Sequence, residues 1–335
     1  MAVNDHPTPP VECQPHRAAP DARRLERMPT APRVVACYSV LDYFMPACGF
    51  DDLTDGMYEG DPHRPYEDAQ ARQAEVLLDR ARCGTGARVL DIGCGYGRIL
   101  RAAAVRGARA IGITVSPEQV RRTQRAGLDV RLQDYKQLGR EWDGQFDAGI
   151  ANGSIEHFAQ PADAASGRDD EIYRHLFATV HRLLDPRSQA GRFVTTVIHV
   201  PRRPDPNDWL RPPSEFAWGS APFHFARLTA AFGGWYPTRG QLEACARGYF
   251  TLVQEEDGTE DYRLTSEAWL AGVRRRLRSV RGLGIWLRAL PIAVRRPVHT
   301  VRIFRCQLGS ESWNWQFRGD PVPTTLFRQT WQRVN

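Results

Sequence analysis

A chain of 335 residues with 42% hydrophobic content can bury a large core, which suits one elaborated α/β domain or a core with an appended subdomain. No run approaches the roughly 18 apolar residues of a transmembrane helix, and 7 scattered cysteines without a C-x-x-C argue against a disulfide framework or a zinc site and for a reducing cytoplasm. The net charge of +6 rests almost wholly on arginine, with Lys136 the single lysine, a usage that GC-rich coding explains.

Residues 1–33 hold seven prolines and no apolar stretch, so the sequence predicts a disordered leader there, neither signal peptide nor core element. An aromatic helix over 34–50 and a longer one over 66–81, with Leu77 and Leu78 near one face, make a helical N-terminal cap (34–82). From 83 to 200 strands and helices alternate: strand 88–92, helix 98–106, strand 109–113, helix 117–126 opened by Ser116-Pro117, strand 128–132, strand 146–151, helix 171–184 and strand 192–199. Alternation of this kind predicts a doubly wound, Rossmann-like α/β core. Residues 201–240, dense in proline, glycine and aromatics, read as a long ordered loop forming a lid. The remainder, 241–335, completes a mixed seven-stranded sheet through a helix at 239–249, a strand at 250–256 and a final antiparallel strand at 324–331. Between them lies a basic helical cap, about 267–305, broken by Gly282, Gly284, Pro291 and Pro297. From Arg274 to Arg305 there are ten arginines and no acid, interleaved with leucine, isoleucine and tryptophan. A surface for lipid head groups or a diphosphate and a solvated cap packed on the core both fit that composition.

The most informative stretch is "RVLDIGCGYGRIL" (88–100), an apolar strand that runs into three glycines at every second position and then a helix. Glycines there permit positive φ and let a ligand approach main-chain N–H groups at a helix start. A dinucleotide site wants G-x-G-x-x-G, but Arg98 stands where its third glycine belongs, and the second strand ends in Thr114 and Ser116 rather than an acid. A P-loop needs a Gly-Lys-Ser/Thr that is absent. What remains is D-x-G-x-G-x-G. Its acid repels phosphate and suits a cationic ligand without pyrophosphate, one carrying a sulfonium and an ammonium, as S-adenosylmethionine does.

The motif resembles that of class I S-adenosylmethionine-dependent methyltransferases. "GITVSPEQ" (112–119) is similar to the G-x-T-x-S-x-x-Q of cyclopropane fatty acid synthases and mycolic acid methyltransferases, and "NGSIEHF" (152–158) to their loop ending in Glu-His-Phe. "EDYRLTSEAW" (260–269) resembles their late tyrosine segment. The resemblance covers about 34–200 well and 240–270 loosely. It implies that Gly93, Cys94 and Gly95 hold the methionine part of the cofactor, or of its product S-adenosylhomocysteine, with Asp91 nearby. Thr114, Ser116 and Gln119 would lie along the ribose, Asp134 and Tyr135 would flank the adenine, and Asn152 and Tyr58 complete the cofactor set. Each has an ordinary alternative: Ser116 as the N-cap before Pro117, Tyr135 as a cover for the sheet edge.

Cyclopropane-forming members hold a bicarbonate ion as base through a cysteine, the glutamate of Glu-His-Phe, a histidine on the fifth strand and the late tyrosine. Glu156 and Tyr262 match. Thr196 stands in the histidine's place with His199 three residues on, and "GMYEGDP" (56–62) has Tyr58 but no cysteine, so the bicarbonate set is incomplete. The expectation is therefore methylation of carbon in an unsaturated lipid-like, isoprenoid-like or specialised small molecule. Glu156 is the candidate base, His157 the alternative or simply its hydrogen-bond partner, and Tyr262 a site residue or a half-buried tyrosine. Cyclopropanation of an acyl chain is the alternative. A nucleic-acid methyltransferase is disfavoured by the lack of an RNA-binding module and of an Asn-Pro-Pro-aromatic motif.

Overall fold

The computed structural model describes residues 32–280 and 282–335, so the predicted disorder of the proline-rich leader falls almost wholly outside the described residues. One sheet of seven strands organises the chain: β1 (Arg88–Ile92), β2 (Arg109–Thr114), β3 (Val130–Leu132), β4 (Ala148–Asn152), β5 (Arg192–His199), β6 (Phe250–Asp257) and β7 (Thr325–Arg333). Their order is β3-β2-β1-β4-β5-β7-β6. β1 to β5 run parallel, and β7 inserts antiparallel between β5 and β6. The order reverses between β1 and β4, where a doubly wound sheet opens a crevice at its carboxyl edge.

Helices cover both faces, so the central strands are buried on both sides and read as continuous apolar runs. On one face α2 (Tyr66–Arg80) and α3 (Arg98–Val105) set Leu77, Leu78, Ile99 and Ala103 against Val89, Ile150 and Val194. On the other, α5 (Asp169–Leu183) places Phe177 against Phe193, Phe250 and Trp331. α4 (Pro117–Arg125) joins β2 to β3. The cap helix α1 (Pro32–Ala47) begins before its predicted start and ends at Ala47, with Pro46 in its last turn. The strand expected at 146 starts at Ala148, because Phe146 forms only an isolated bridge with Leu184.

Two departures from the sequence reading shape the site. The predicted 201–240 loop contains a twelve-residue helix, α6 (Ala221–Phe232), capped by Ser220, which accepts from the Phe223 N–H at 3.4 Å, and ended by Gly233 at φ +69°. The late tyrosine segment and the first arginines form one twenty-residue helix, α7 (Thr259–Arg278), so the basic region starts in mid-helix. It continues as α8 (Gly282–Arg295) and α9 (Pro297–Phe304). Gly284 and Pro291 lie inside α8 and do not break it; Pro291 removes only the bond it would have donated one turn back.

Candidate active site

The β1–α3 loop turns at the switch point through Gly93 (φ +81°) and Gly95 (φ +52°). A Cβ on Gly93 would stand 2.5 Å from Cβ of Ser154, so this glycine lets the loop after β4 pack against the loop after β1. A Cβ on Gly95 would meet nothing within 4 Å. That bare backbone borders open space, a cavity of about 220 Å³.

The cavity is lined by Asp91, Gly93, Cys94, Gly95, Thr114, Gln119, Asp134, Tyr135 and Asn152 from the predicted cofactor set, and by Glu156, His157 and Tyr262 from the predicted catalytic set. Ser116 and Tyr58 are not brought to it. Ser116 caps α4, accepting from the Gln119 N–H at 3.3 Å, and donates to Asp42 of α1 at 2.6 Å. Tyr58 is buried beside α7, its N–H donating to Asp261 at 2.7 Å.

On the sheet side, Asp91 is buried, and desolvation with the neighbouring charge of Asp52 pushes its carboxyl up to about 7. A cation placed beside it would be paired with a carboxylate that water does not reach. Thr114 donates to the Gln119 side-chain oxygen at 2.6 Å, and the Gln119 amide donates to Asp42 at 3.3 Å. Asp42 also accepts from the Tyr96 hydroxyl, so one buried acid of the cap latches α1 to the glycine loop and to the start of α4. At the far end Asp134 accepts from the Lys136 N–H at 3.0 Å, and Tyr135 stacks on Phe158 at 4.4 Å.

The other side is formed around the short turn Ile155–His157 after β4. Glu156 is 3% exposed; one carboxyl oxygen accepts from the Ile198 N–H at 2.7 Å and the other has no hydrogen-bond partner. Burial pushes it up to about 7, with the charge of Asp55 adding to the rise. His157 bonds the Tyr38 hydroxyl at 3.1 Å rather than Glu156, and burial holds its pKa down to about 4, so its ring is neutral near pH 7. Tyr262 packs against Phe317 at 4.7 Å, and burial drives its hydroxyl well above its usual pKa.

Residues that the sequence reading did not single out complete this side. Asp55 lines the cavity and accepts from Gln73 at 2.9 Å; Gln73 in turn accepts from Arg328 at 2.7 Å, a fully buried arginine on β7. Burial pushes Asp55 up to about 6, against the opposing charge of Arg328. Its only sequence signal was an acid just before Gly56-Met57-Tyr58. The aromatic wall of Tyr38, Tyr236, Trp269 and Trp313 comes from four separate segments. Thr196 is held by Gln73 at 3.4 Å, and the His199 ring turns to Phe327 at 5.2 Å; neither lines the cavity. This set does not fit bicarbonate. Besides Glu156 the cavity is lined by four further acids, Asp52, Asp55, Asp91 and Asp134, and among the described residues the cationic side chains lining it, Arg98 and Lys136, already pair with Asp52 and Asp134.

The profile of mycolic acid cyclopropane synthetase matches residues 54–283, more than half of the chain. Among curated proteins, the cyclopropane-fatty-acyl-phospholipid synthase of Escherichia coli is 34% identical over 125 residues, 36% of this chain and 29% of that enzyme. The chain spans less than a third of the length of the first curated relatives it matches, from 17% to 29%. Among solved structures, the cyclopropane synthase MmaA2 of Mycobacterium tuberculosis superposes with a TM-score of 0.69 at 19% identity, over 92% of this chain and 99% of that one. A geranyl diphosphate C-methyltransferase of Streptomyces coelicolor, solved with S-adenosyl-L-homocysteine, gives 0.53 at 17% identity, over 92% and 100%. Two different chemistries thus share this fold, and the profile match decides the kinship: the chain belongs to the mycolic acid cyclopropane synthetase family.

Proposed function

We propose that this protein is an S-adenosylmethionine-dependent methyltransferase that methylates carbon in an unsaturated, lipid-like substrate, with Glu156 as the base. The observation that carries the reading is a single cavity with bare glycine backbone and Asp91 at one end, and a buried carboxyl with one unpartnered oxygen at the other. The residues fit the cofactor. Gly95 leaves the space its backbone contacts require, Asp91 suits a cationic group, and Asp134 and Tyr135 suit an adenine, the one accepting from an exocyclic amine and the other offering a ring. When bound, S-adenosylmethionine supplies an electrophilic methyl group through its sulfonium.

The chain's own groups do the rest. Tyr38, Tyr236, Tyr262 and Trp269 line the cavity with aromatic surface, which keeps water away and suits positive charge developing on a substrate carbon. Glu156, ionised above about pH 7, takes the proton that this carbon's neighbour gives up after the methyl is gained, and the C–H electrons close a new double bond. Cyclopropanation differs only in that the proton comes from the added methyl. The acid pair Asp55 and Glu156 supports a protein carboxylate rather than a bicarbonate anion in that role. Paired cations and facing acids also mean that an anionic head group lies outside the cavity, with an apolar part inside. Among the described residues six buried free thiols suit a reducing cytoplasm.

Mass spectrometry of candidate alkenes, turned over with methyl-deuterated cofactor, tests this. Retention of CD3 marks methylation, and CD2 marks ring closure. No label in any alkene, with the cofactor bound, removes the carbon-methylation reading.

A further inference from the structure

Helices α8 and α9 bury one side and hold an apolar one in solvent. On α8, Ile285, Ala289 and Ile292 are buried on the side packed against α1 and α9, while Leu283, Leu287, Leu290 and Val294, spaced at i, i+4, i+7 and i+11, form an exposed row whose ends are both 71% accessible. Trp286 flanks the row at 47% exposure, stacked on Phe304 of α9. A solvated basic cap would carry polar residues along this row, so a continuous apolar row needs something to cover it.

Charge identifies the cover. Between Arg274 and Arg305 the chain has ten arginines and no acid. Among the described residues, Arg288, Arg295, Arg296, Arg302 and Arg305 enter no salt bridge, whereas Arg274 reaches out of the region to Glu311. Arg288 and Arg295 are two turns apart on one side of α8, between its buried face and its apolar row. A second copy of the chain placed on this patch would set arginine against arginine. An anionic bilayer satisfies both features, taking the leucines and tryptophan at the acyl boundary and the arginines at the phosphates.

We propose that α8 and α9 form an interfacial element that seats the protein on an anionic lipid surface. This deepens the lipid-like substrate reading and rests on it for its purpose, though not for its test. The location agrees. α8 and α9 pack on α1, which walls the cavity through Val34, Tyr38, Leu41 and Met45, and Gln307, just beyond α9, lines it as well. α1 is thus the element shared by the contact helices and the cavity wall. No helix among the described residues is long and apolar enough to cross a membrane, so the contact is peripheral.

The test is co-sedimentation of the full chain with vesicles of phosphatidylcholine alone and of phosphatidylcholine mixed with phosphatidylglycerol. The expected result is salt-sensitive binding to the mixed vesicles, weakened roughly tenfold by Leu287→Gln with Leu290→Gln, and again by Arg288→Gln with Arg295→Gln. Both double variants alter exposed side chains, so they should keep the parent melting temperature and affinity for S-adenosylmethionine. No binding to the mixed vesicles overturns the proposal, as does binding that neither double variant weakens. A dimer that Leu287→Gln with Leu290→Gln dissociates, without vesicle binding, overturns it in favour of self-association. Vesicle binding by a protein that fails to bind S-adenosylmethionine would leave this contact standing and remove the proposed function.

Discussion

The two ends of the cavity are built by different means. Around Asp91, Gly95, Thr114 and Gln119 the walls come from within 29 residues of chain, held mainly by strand pairing between β1 and β2 and by backbone conformation, with Asp42 of α1 the one distant side chain that latches them. Around Glu156 they come from α1, the 52–55 segment, the turn after β4, the 232–236 stretch and α7, joined by side-chain contacts such as Tyr38 with His157 and Gln73 with Asp55. At a wall of bare backbone an added side chain takes the ligand's own space. A wall made of side chains can be edited one function at a time. The first should therefore control whether the cofactor binds, and the second what happens to it.

The sharpest break of that contrast is Gly95→Val. The new side chain enters space that is open in the structure, at φ +52° where a β-branched residue is strained, so binding of S-adenosylmethionine should fall beyond detection while the sheet still folds. Calorimetry and circular dichroism read the two parts; near-normal affinity would show that the backbone does not set this end. Next in size is Glu156→Gln, which keeps the bond from Ile198 but cannot take a proton. Turnover should drop roughly a hundredfold or more with cofactor affinity within a few-fold, the pattern of a positioned base. Normal turnover in that variant, with His157→Ala or Tyr262→Phe inactive, would move the base to another residue.

The same contrast governs what could be read in advance. Strand, glycine turn and helix leave a signature within thirteen residues, and the strand alternation that produces the sheet is equally local, so the fold and the glycine-loop end of the cavity were legible from "RVLDIGCGYGRIL" and "GITVSPEQ". Glu156, which the structure places on the cavity, was singled out by the resemblance of "NGSIEHF" to a loop ending in Glu-His-Phe. Asp55, Tyr38 and Tyr236 were not, since nothing in their own neighbours says that they meet; Arg328 reaches Gln73 across 255 positions of sequence. Ser116 illustrates the converse failure: its motif suggested a ligand contact, while its place before Pro117 equally suggested an N-cap, and in the structure its hydroxyl caps α4 and binds Asp42. The α6 helix had both its Ser220 start and its Gly233 stop in the sequence, but proline and glycine crowded around them read as loop.

A smaller effect should sharpen the division within the second end. Asp55→Asn keeps the size of the side chain and removes a charge that raises Glu156, so the ionisation that controls turnover should move to lower pH. The rate at high pH should fall by about tenfold or less if Asp55 only tunes the base. An unchanged pH profile would separate Asp55 from Glu156, and a loss as large as that of Glu156→Gln would make the pair a single unit.

The smallest effect separates the two ends in the unliganded and liganded protein. Asp55, Asp91 and Glu156 all have folded pKa values, about 6, 7 and 7, above those of an unfolded chain. For a carboxyl raised in the fold, the unfolded chain loses its proton first as pH rises, so stability is full below the unfolded pKa near 4 and declines until the folded pKa is passed. The melting temperature without cofactor should therefore fall between about pH 4 and pH 7 and then level with respect to these three groups. In the proposed complex S-adenosylmethionine sets its positive charge nearest Asp91, which lowers that pKa most. Cofactor affinity should then rise with pH through 7, and saturating cofactor should remove the share of the slope that belongs to Asp91 while the Asp55 and Glu156 share persists. Asp91→Asn tests the assignment from the other direction, since it should abolish the pH dependence of binding and leave that of turnover. Affinity that does not change between pH 5 and pH 8 would mean that Asp91 does not sense the cofactor's charge, and the backbone-built end would then recognise shape alone.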